Sequence, residues 1–177
     1  MNAKKLCIMG LLIALTCVAT MCIHIPIPAT SGYINVGDSI ILIAAVFFGG
    51  PYGLAAGGIG SALADLLLGY TNYVPVTLFV KGIEGLMVAQ IAGSVDGFFK
   101  IRKIAAAVTG LVWMVAGYFI CEVIMYGAGA AAGSVVSNCI QAGGSLIIFI
   151  VLGCALNKAK RGNRVWIADL NSLHKIL

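Results

Sequence analysis

Residues 75–95 read PVTLFVKGIEGLMVAQIAGSV. At about 1.5 Å of rise per residue, this segment is long enough to cross the roughly 30 Å hydrocarbon core of a bilayer. Its only charges are Lys81 and Glu84. A charged side chain at the centre of a membrane helix costs about 2.5 to 3.5 kcal/mol on insertion scales, so two of them three residues apart need a reason.

The rest of the chain is built in the same way. Hydrophobic residues make up 61% of the 177 and charged residues 10%, with a mean hydropathy of +1.06; soluble domains are closer to half apolar. Further apolar stretches cover residues 6–25, 51–69, 104–126 and 133–157, and a shorter one at 36–50 is expected to tilt less or to sink among its neighbours. The expected fold is an all-α integral membrane protein of six transmembrane helices, a substrate-binding domain over residues 1–157 followed by a basic cytoplasmic tail, 158–177. Lys4 and Lys5 imitate the start of a signal peptide, but no small-residue cleavage site follows, so the first apolar run is read as a helix.

The basic residues set the expected orientation. Ten of the eleven Lys and Arg lie outside the apolar spans: Lys4 and Lys5 at the start, Lys100, Arg102 and Lys103 after the fourth span, and the remainder in the tail. The connections after spans one, three and five have none. With six spans, the positive-inside rule then puts both termini in the cytoplasm. The net charge of +5 is a topology signal and an attraction to anionic membrane lipid, and calls for no nucleic acid.

Depth follows from orientation. Lys81 lies about 9 Å below the outer end of its span and Glu84 about 14 Å. Asp65 sits about a turn from the outer end of span three, Asp38 opens span two at the outer face, Glu122 is one turn below the outer end of span five, and Asn138 and Gln141 fall in the first two turns of span six. The strongly polar intramembrane residues therefore share the outer half, whereas a channel would string them through the full thickness. Two readings stay open for Lys81. It forms an ion pair that merely holds helices together, with Glu84 or with Asp65, or it belongs to a solute site made with Asn35, Asp38, Asp65, Glu84, Glu122, Asn138 and Gln141.

Other features have competing readings. Gly53, Gly57, Ser61 and Asp65 recur every four residues, a stripe that permits close helix packing. The connection 26–35 (PIPATSGYIN) is stiff at one end and hinged at the other, as a lid over an outer pocket would be. The link 127–133 (GAGAAAG) lacks bulky side chains and is expected to flex. Tyr70 and Tyr73 serve an interfacial belt or stack on a ligand; Phe79 and Tyr126 are further stacking candidates, and Trp113 is too deep. His24 is structural or touches ligand. The six cysteines have no paired spacing and read as small packing residues. Trp166, Leu170, Leu173 and Leu177 mark one face of an interfacial helix or belong to a loose tail.

Several activities are disfavoured. The chain has no GxxxxGK[ST] loop for nucleotide hydrolysis, no HExxH, Cys/His cluster or Ser-His-Asp arrangement, and no inverted repeat with broken helices. It reads as neither an enzyme nor a self-sufficient transporter, and no cofactor or metal is expected. A stand-alone facilitator would need polar groups reaching the inner face; a purely structural protein would need no converging charges.

Residues 33–70, YINVGDSIILIAAVFFGGPYGLAAGGIGSALADLLLGY, followed by YVPVTLFVKGIEGL at 73–86, carry a GD pair, a GSALAD segment and a KGxEG segment. In these the chain resembles the substrate-binding S component of energy-coupling factor (ECF) vitamin transporters, in the branch with riboflavin-type and hydroxymethylpyrimidine- or pyridoxine-type members. The resemblance implies a multi-pass protein of the bacterial plasma membrane that binds a water-soluble vitamin from outside and works with a transmembrane coupling subunit and two ATPase subunits. It also implies docking through small residues on span one, usually Ala-xxx-Ala; the candidates here, Gly10 and Ala14, depart from that pattern. The charged set favours a compact pyrimidine or pyridine ring, with riboflavin the alternative.

Overall fold

The computed structural model describes residues 2–27, 30–93 and 101–162, with side chains through Ala159. The tail residues Trp166, Leu170, Leu173 and Leu177 lie outside the described residues. The described part is helical apart from one small hairpin, and five of its helices are long and apolar enough to cross a membrane.

Helix α1, Ala3–Cys22, starts where the Asn2 side chain accepts the backbone N–H of Lys5 at 3.1 Å, satisfying one of the free donors of the first turn. The chain then forms an antiparallel hairpin, β1 His24–Ile27 against β2 Gly32–Asn35, with Ile25 opposite Ile34 and Pro26 opposite Tyr33. The lid expected over 26–35 is therefore an ordered ribbon where it is described.

Helix α2, Gly37–Phe48, is the short one. Its buried residues run almost without a break from Gly37 to Val46, including Asp38 at 0% exposure. It is sunk among its neighbours because nearly every side of it is covered. Gly49, at φ +98°, breaks the chain before Pro51, and α3 follows over Gly50–Leu68. Midway, Ala56–Gly60 (AGGIG) widens into a π-helical turn, a form often found at functional sites. Gly69 closes α3 in the left-handed conformation.

Helix α4, Val74–Ala92, crosses α3 at backbone contact distance. A Cβ on Gly57 would lie 2.1 Å from the Lys81 carbonyl oxygen, and one on Gly85 would lie 2.1 Å from that of Gly53. The small-residue stripe thus has a direct packing role: it lets α3 and α4 touch and fixes the offset between Asp65 and Lys81.

Helix α5, Ile101–Tyr126, begins early enough to include Arg102 and Lys103, which the sequence assigned to a connection. Arg102 Nε donates to the Ile91 carbonyl at 2.5 Å, covering an otherwise free acceptor at the end of α4. Gly127, at φ +86°, makes the turn into α6, Ala128–Gly162. The expected flexible link at 127–133 is corrected here: all of it but Gly127 is helical, since an Ala-rich segment favours helix over loop. An apolar cluster from α2, α4, α5 and α6, including Leu42, Val88, Met114 and Phe149, fills the bundle beyond the charged residues.

Candidate functional site

The buried polar residues gather beneath the hairpin, where α2, α3, α4, α5 and α6 meet. Close α3–α4 packing presents Asp65 and Lys81 to the same interior space, and α5 and α6 close it with Glu122, Asn138 and Gln141.

Lys81 is 1% exposed and forms an ion pair with Asp38 of α2, while Glu84 stands 3.8 Å from the same ammonium. The sequence offered Glu84 or Asp65 as the partner. The structure gives the principal role to Asp38, because burial of α2 brings its first turn against α4. The second Asp38 oxygen accepts from Gln141 Nε2 at 2.7 Å. Gln141 Oε1 in turn accepts from the Asn35 backbone N–H at 2.9 Å, and the Asn35 side chain accepts from Gly37 N at 2.9 Å. One chain of bonds thus ties the end of the hairpin to α6, α2 and Lys81. Tyr118 of α5 faces the same ammonium, its ring centre 5.5 Å from Lys81 Nζ.

Two further ties hold the hairpin. Tyr33 donates to Asp65 Oδ1 at 2.5 Å and packs on Tyr70 at 4.6 Å between ring centres. Burial, reinforced by the neighbouring Asp65 carboxylate, pushes the Tyr33 hydroxyl far above the ordinary phenol range, so it remains a donor at any physiological pH. Tyr73 donates to the Thr30 carbonyl at 2.8 Å and to Glu122 Oε1 at 3.1 Å, and Ser134 donates to the other Glu122 oxygen. Tyr73 is 5% exposed, a buried clamp beneath the hairpin rather than a belt residue. Burial also raises its hydroxyl pKa.

The space these groups enclose measures about 20 Å³. That is room for about one water, far below the roughly 300 to 1,000 Å³ of ligand pockets, so the cavity is closed in this conformation. Asn35, Asp65, Lys81, Glu122, Asn138 and Gln141 border it, whereas Asp38 and Glu84 stand behind Lys81. Asp65 Oδ2 and Asn138 Nδ2 are buried with no hydrogen-bond partner. Thr20 Oγ1 at the cavity and both Glu84 carboxyl oxygens behind Lys81 are likewise without one, although buried polar atoms are rarely left so.

Sequence reasoning missed Ser61, Thr77, Tyr118 and Ser134. The first three border the cavity, and Ser134 holds Glu122. Each lies four residues before a chosen one, in the pairs 61/65, 77/81, 118/122 and 134/138, so the one-turn helical repeat was the signal that could have found them. Phe79 points away at 67% exposure. Tyr126 stacks on Tyr73 at 6.2 Å, and the Trp113 indole donates to the Val80 carbonyl at 3.0 Å. His24 binds the Met21 carbonyl at 2.9 Å and meets Tyr33 edge-on. Gly10 and Ala14 lie on an exposed face of α1, where a Cβ on Gly10 would meet no atom within 4 Å.

The family model described as "ECF-type riboflavin transporter, S component" matches residues 1–158. A protein of Pyrococcus woesei, described as an uncharacterized protein in gap 3'region, is 40% identical over 141 residues, 80% of this chain and 93% of the relative. The thiamine precursor transporter HmpT of Lactococcus lactis subsp. cremoris strain MG1363 is 32% identical over 141 residues, 79% of this chain and 80% of that protein.

Proposed function

Because the chain belongs to the family of ECF-type riboflavin transporter S components, we propose that it captures a pyrimidine- or pyridine-type vitamin or precursor from outside the membrane. The carrying observation is the closed polar cavity beneath the hairpin, bordered by unpaired Asp65 and Asn138 atoms. Similarity to a thiamine precursor transporter supports the same ring class. Asp65, Lys81, Asn138 and Gln141 would replace the ring's lost hydration, with Asn35, Asp38, Glu84 and Glu122 holding them in place. A polar group left unpaired in such a site forfeits about 1 to 3 kcal/mol.

The cycle begins with outward movement of the hairpin, which requires release of the Tyr33–Asp65, Tyr73–Thr30 and Asn35–Gln141 bonds. The ligand enters, and the same bonds close over it. Both termini face the cytoplasm, and the small-residue face at Gly10 and Ala14 docks a transmembrane coupling subunit that acts with two ATPase subunits to deliver the solute.

Riboflavin is the second reading, favoured by the description of the matching family. Its three-ring system would need a wide aromatic slot, whereas the tyrosines here are engaged with one another and with the hairpin. Calorimetric titration of the purified chain with hydroxymethylpyrimidine, pyridoxine and riboflavin separates the readings. Tightest binding of a single-ring compound is expected; riboflavin binding alone would overturn the ring assignment.

A further inference from the structure

Buried carboxyl groups outnumber buried ammonium groups in this site. Asp38, Asp65, Glu84 and Glu122 are each at most 3% exposed, and the ammonium set among them is that of Lys81. Lys81 is committed to Asp38, with Glu84 beside it, and Glu122 accepts from Tyr73 and Ser134. Both Glu84 oxygens are also buried without a hydrogen-bond partner, but Glu84 does not border the cavity; Asp65 does, with one oxygen accepting from Tyr33 and the other buried on the Thr77 side.

We infer that the ligand is held as its protonated, cationic form, with Asp65 Oδ2 accepting from the charged ring nitrogen and Asn138 Nδ2 donating to a neutral acceptor on the same ring. This rests on the reading of the cavity as a vitamin site, and it names the form of the vitamin taken. Aminopyrimidines and pyridines are weak bases whose ring nitrogen accepts a proton in mildly acidic water; the flavin ring is not basic in that range. A ligand entering neutral would therefore draw a proton from solvent, shared in the complex between the ring nitrogen and Asp65. A phosphorylated ligand would add negative charge to an already acidic enclosure and be rejected.

The titratable and charged groups around Asp65 allow this assignment to be isolated. Tyr33 and Tyr70 face it from the hairpin side, with Cys17 of α1 and His24 beside Tyr33; Lys81 lies across from it on α4, and Tyr118 comes from α5. The cavity residues of α6, Asn138 and Gln141, are neutral. His24 is the imidazole that meets Tyr33 edge-on, so His24→Gln is the control.

The test is calorimetric titration of the full chain in lipid nanodiscs with hydroxymethylpyrimidine, in buffers of different ionisation heat, from mildly acidic to mildly alkaline pH. Above the free base's own pKa, uptake of about one proton per site is expected, with affinity falling about tenfold per pH unit. His24→Gln should retain both effects and Asp65→Asn should lose them. The monophosphate of the same compound should bind at least about 100-fold more weakly. If Asp65→Asn does not fold, the wild-type proton count and the monophosphate comparison still decide. Binding without proton exchange, or equal binding of the monophosphate, would overturn the inference while leaving the vitamin site intact. Binding of riboflavin alone would overturn both.

Discussion

Lys81 of α4 and Asp38 of α2 form a buried ion pair, and Glu84, one turn from Lys81 on its own helix, stands 3.8 Å from the same ammonium. Taking ions out of water is costly and is offset only when partners and further hydrogen bonds are in place. Gln141 supplies such a bond to Asp38 and continues it to Asn35 at the end of the hairpin. The pair is therefore both a helix tie and the floor of the cavity.

Replacement of Lys81 alone should leave Asp38 as an uncompensated buried charge. Lys81→Met is expected to lower stability by about 3 to 5 kcal/mol. Combining it with Asp38→Asn should recover much of that loss, read as the thermal transition of monodisperse protein in detergent. An additive or worse double variant would show that the two residues are not energetically paired.

The hairpin latch is expected to govern ligand release. Tyr33→Phe removes one donor to a carboxylate, worth about 1.5 to 3 kcal/mol, and should speed dissociation by roughly 10- to 100-fold while lowering folding stability by a similar free energy. Because the lost donor faces Asp65, the pH dependence of release should move with it. A stopped-flow displacement assay reads both quantities.

Close approach of α3 and α4 should tolerate no added side chain at its tightest points. Gly57→Ala and Gly85→Ala each place a methyl about 2.1 Å from a backbone carbonyl oxygen and should cost at least about 1 to 3 kcal/mol. Gly143→Ala, with nothing within 4 Å, should be close to neutral. Equal transition temperatures for all three would mean that the helices have room to separate.

Docking through α1 predicts a separation of binding from uptake. Gly10→Leu and Ala14→Leu lie on an exposed face and should leave vitamin binding unchanged, yet abolish uptake in cells expressing the coupling and ATPase subunits. Retained uptake would move the docking surface elsewhere.

Much of this architecture was legible in the residues. Membrane-length apolar runs, the stripe from Gly53 to Asp65 and the rarity of charge in the spans identified the helices and six of the cavity's bordering residues. Pair identity was not legible, because whether Lys81 meets Asp38, Asp65 or Glu84 depends on how deeply the short α2 is buried, and helical periodicity does not encode depth. The hairpin within the expected lid is not legible because its strands are four residues each and the first contains Pro26. Tyr73 was divided between belt and ligand because an aromatic at a helix start serves either; its contacts with Thr30 and Glu122 appear only after folding. The missed hydroxyl residues were hidden by chemistry: Ser61, Thr77 and Ser134 in an apolar helix read as packing residues until they fall one turn from a carboxylate, ammonium or amide.

The central claim is that the cavity beneath the hairpin takes one small vitamin ring. Native mass spectrometry of the gently purified chain, with hydroxymethylpyrimidine added and riboflavin present as competitor, tests it most directly. The account predicts a single adduct of the pyrimidine's mass per chain, weakened by Tyr33→Phe and absent in Asn138→Leu. An adduct of riboflavin mass, or pyrimidine adducts unaffected by Asn138→Leu, would contradict it.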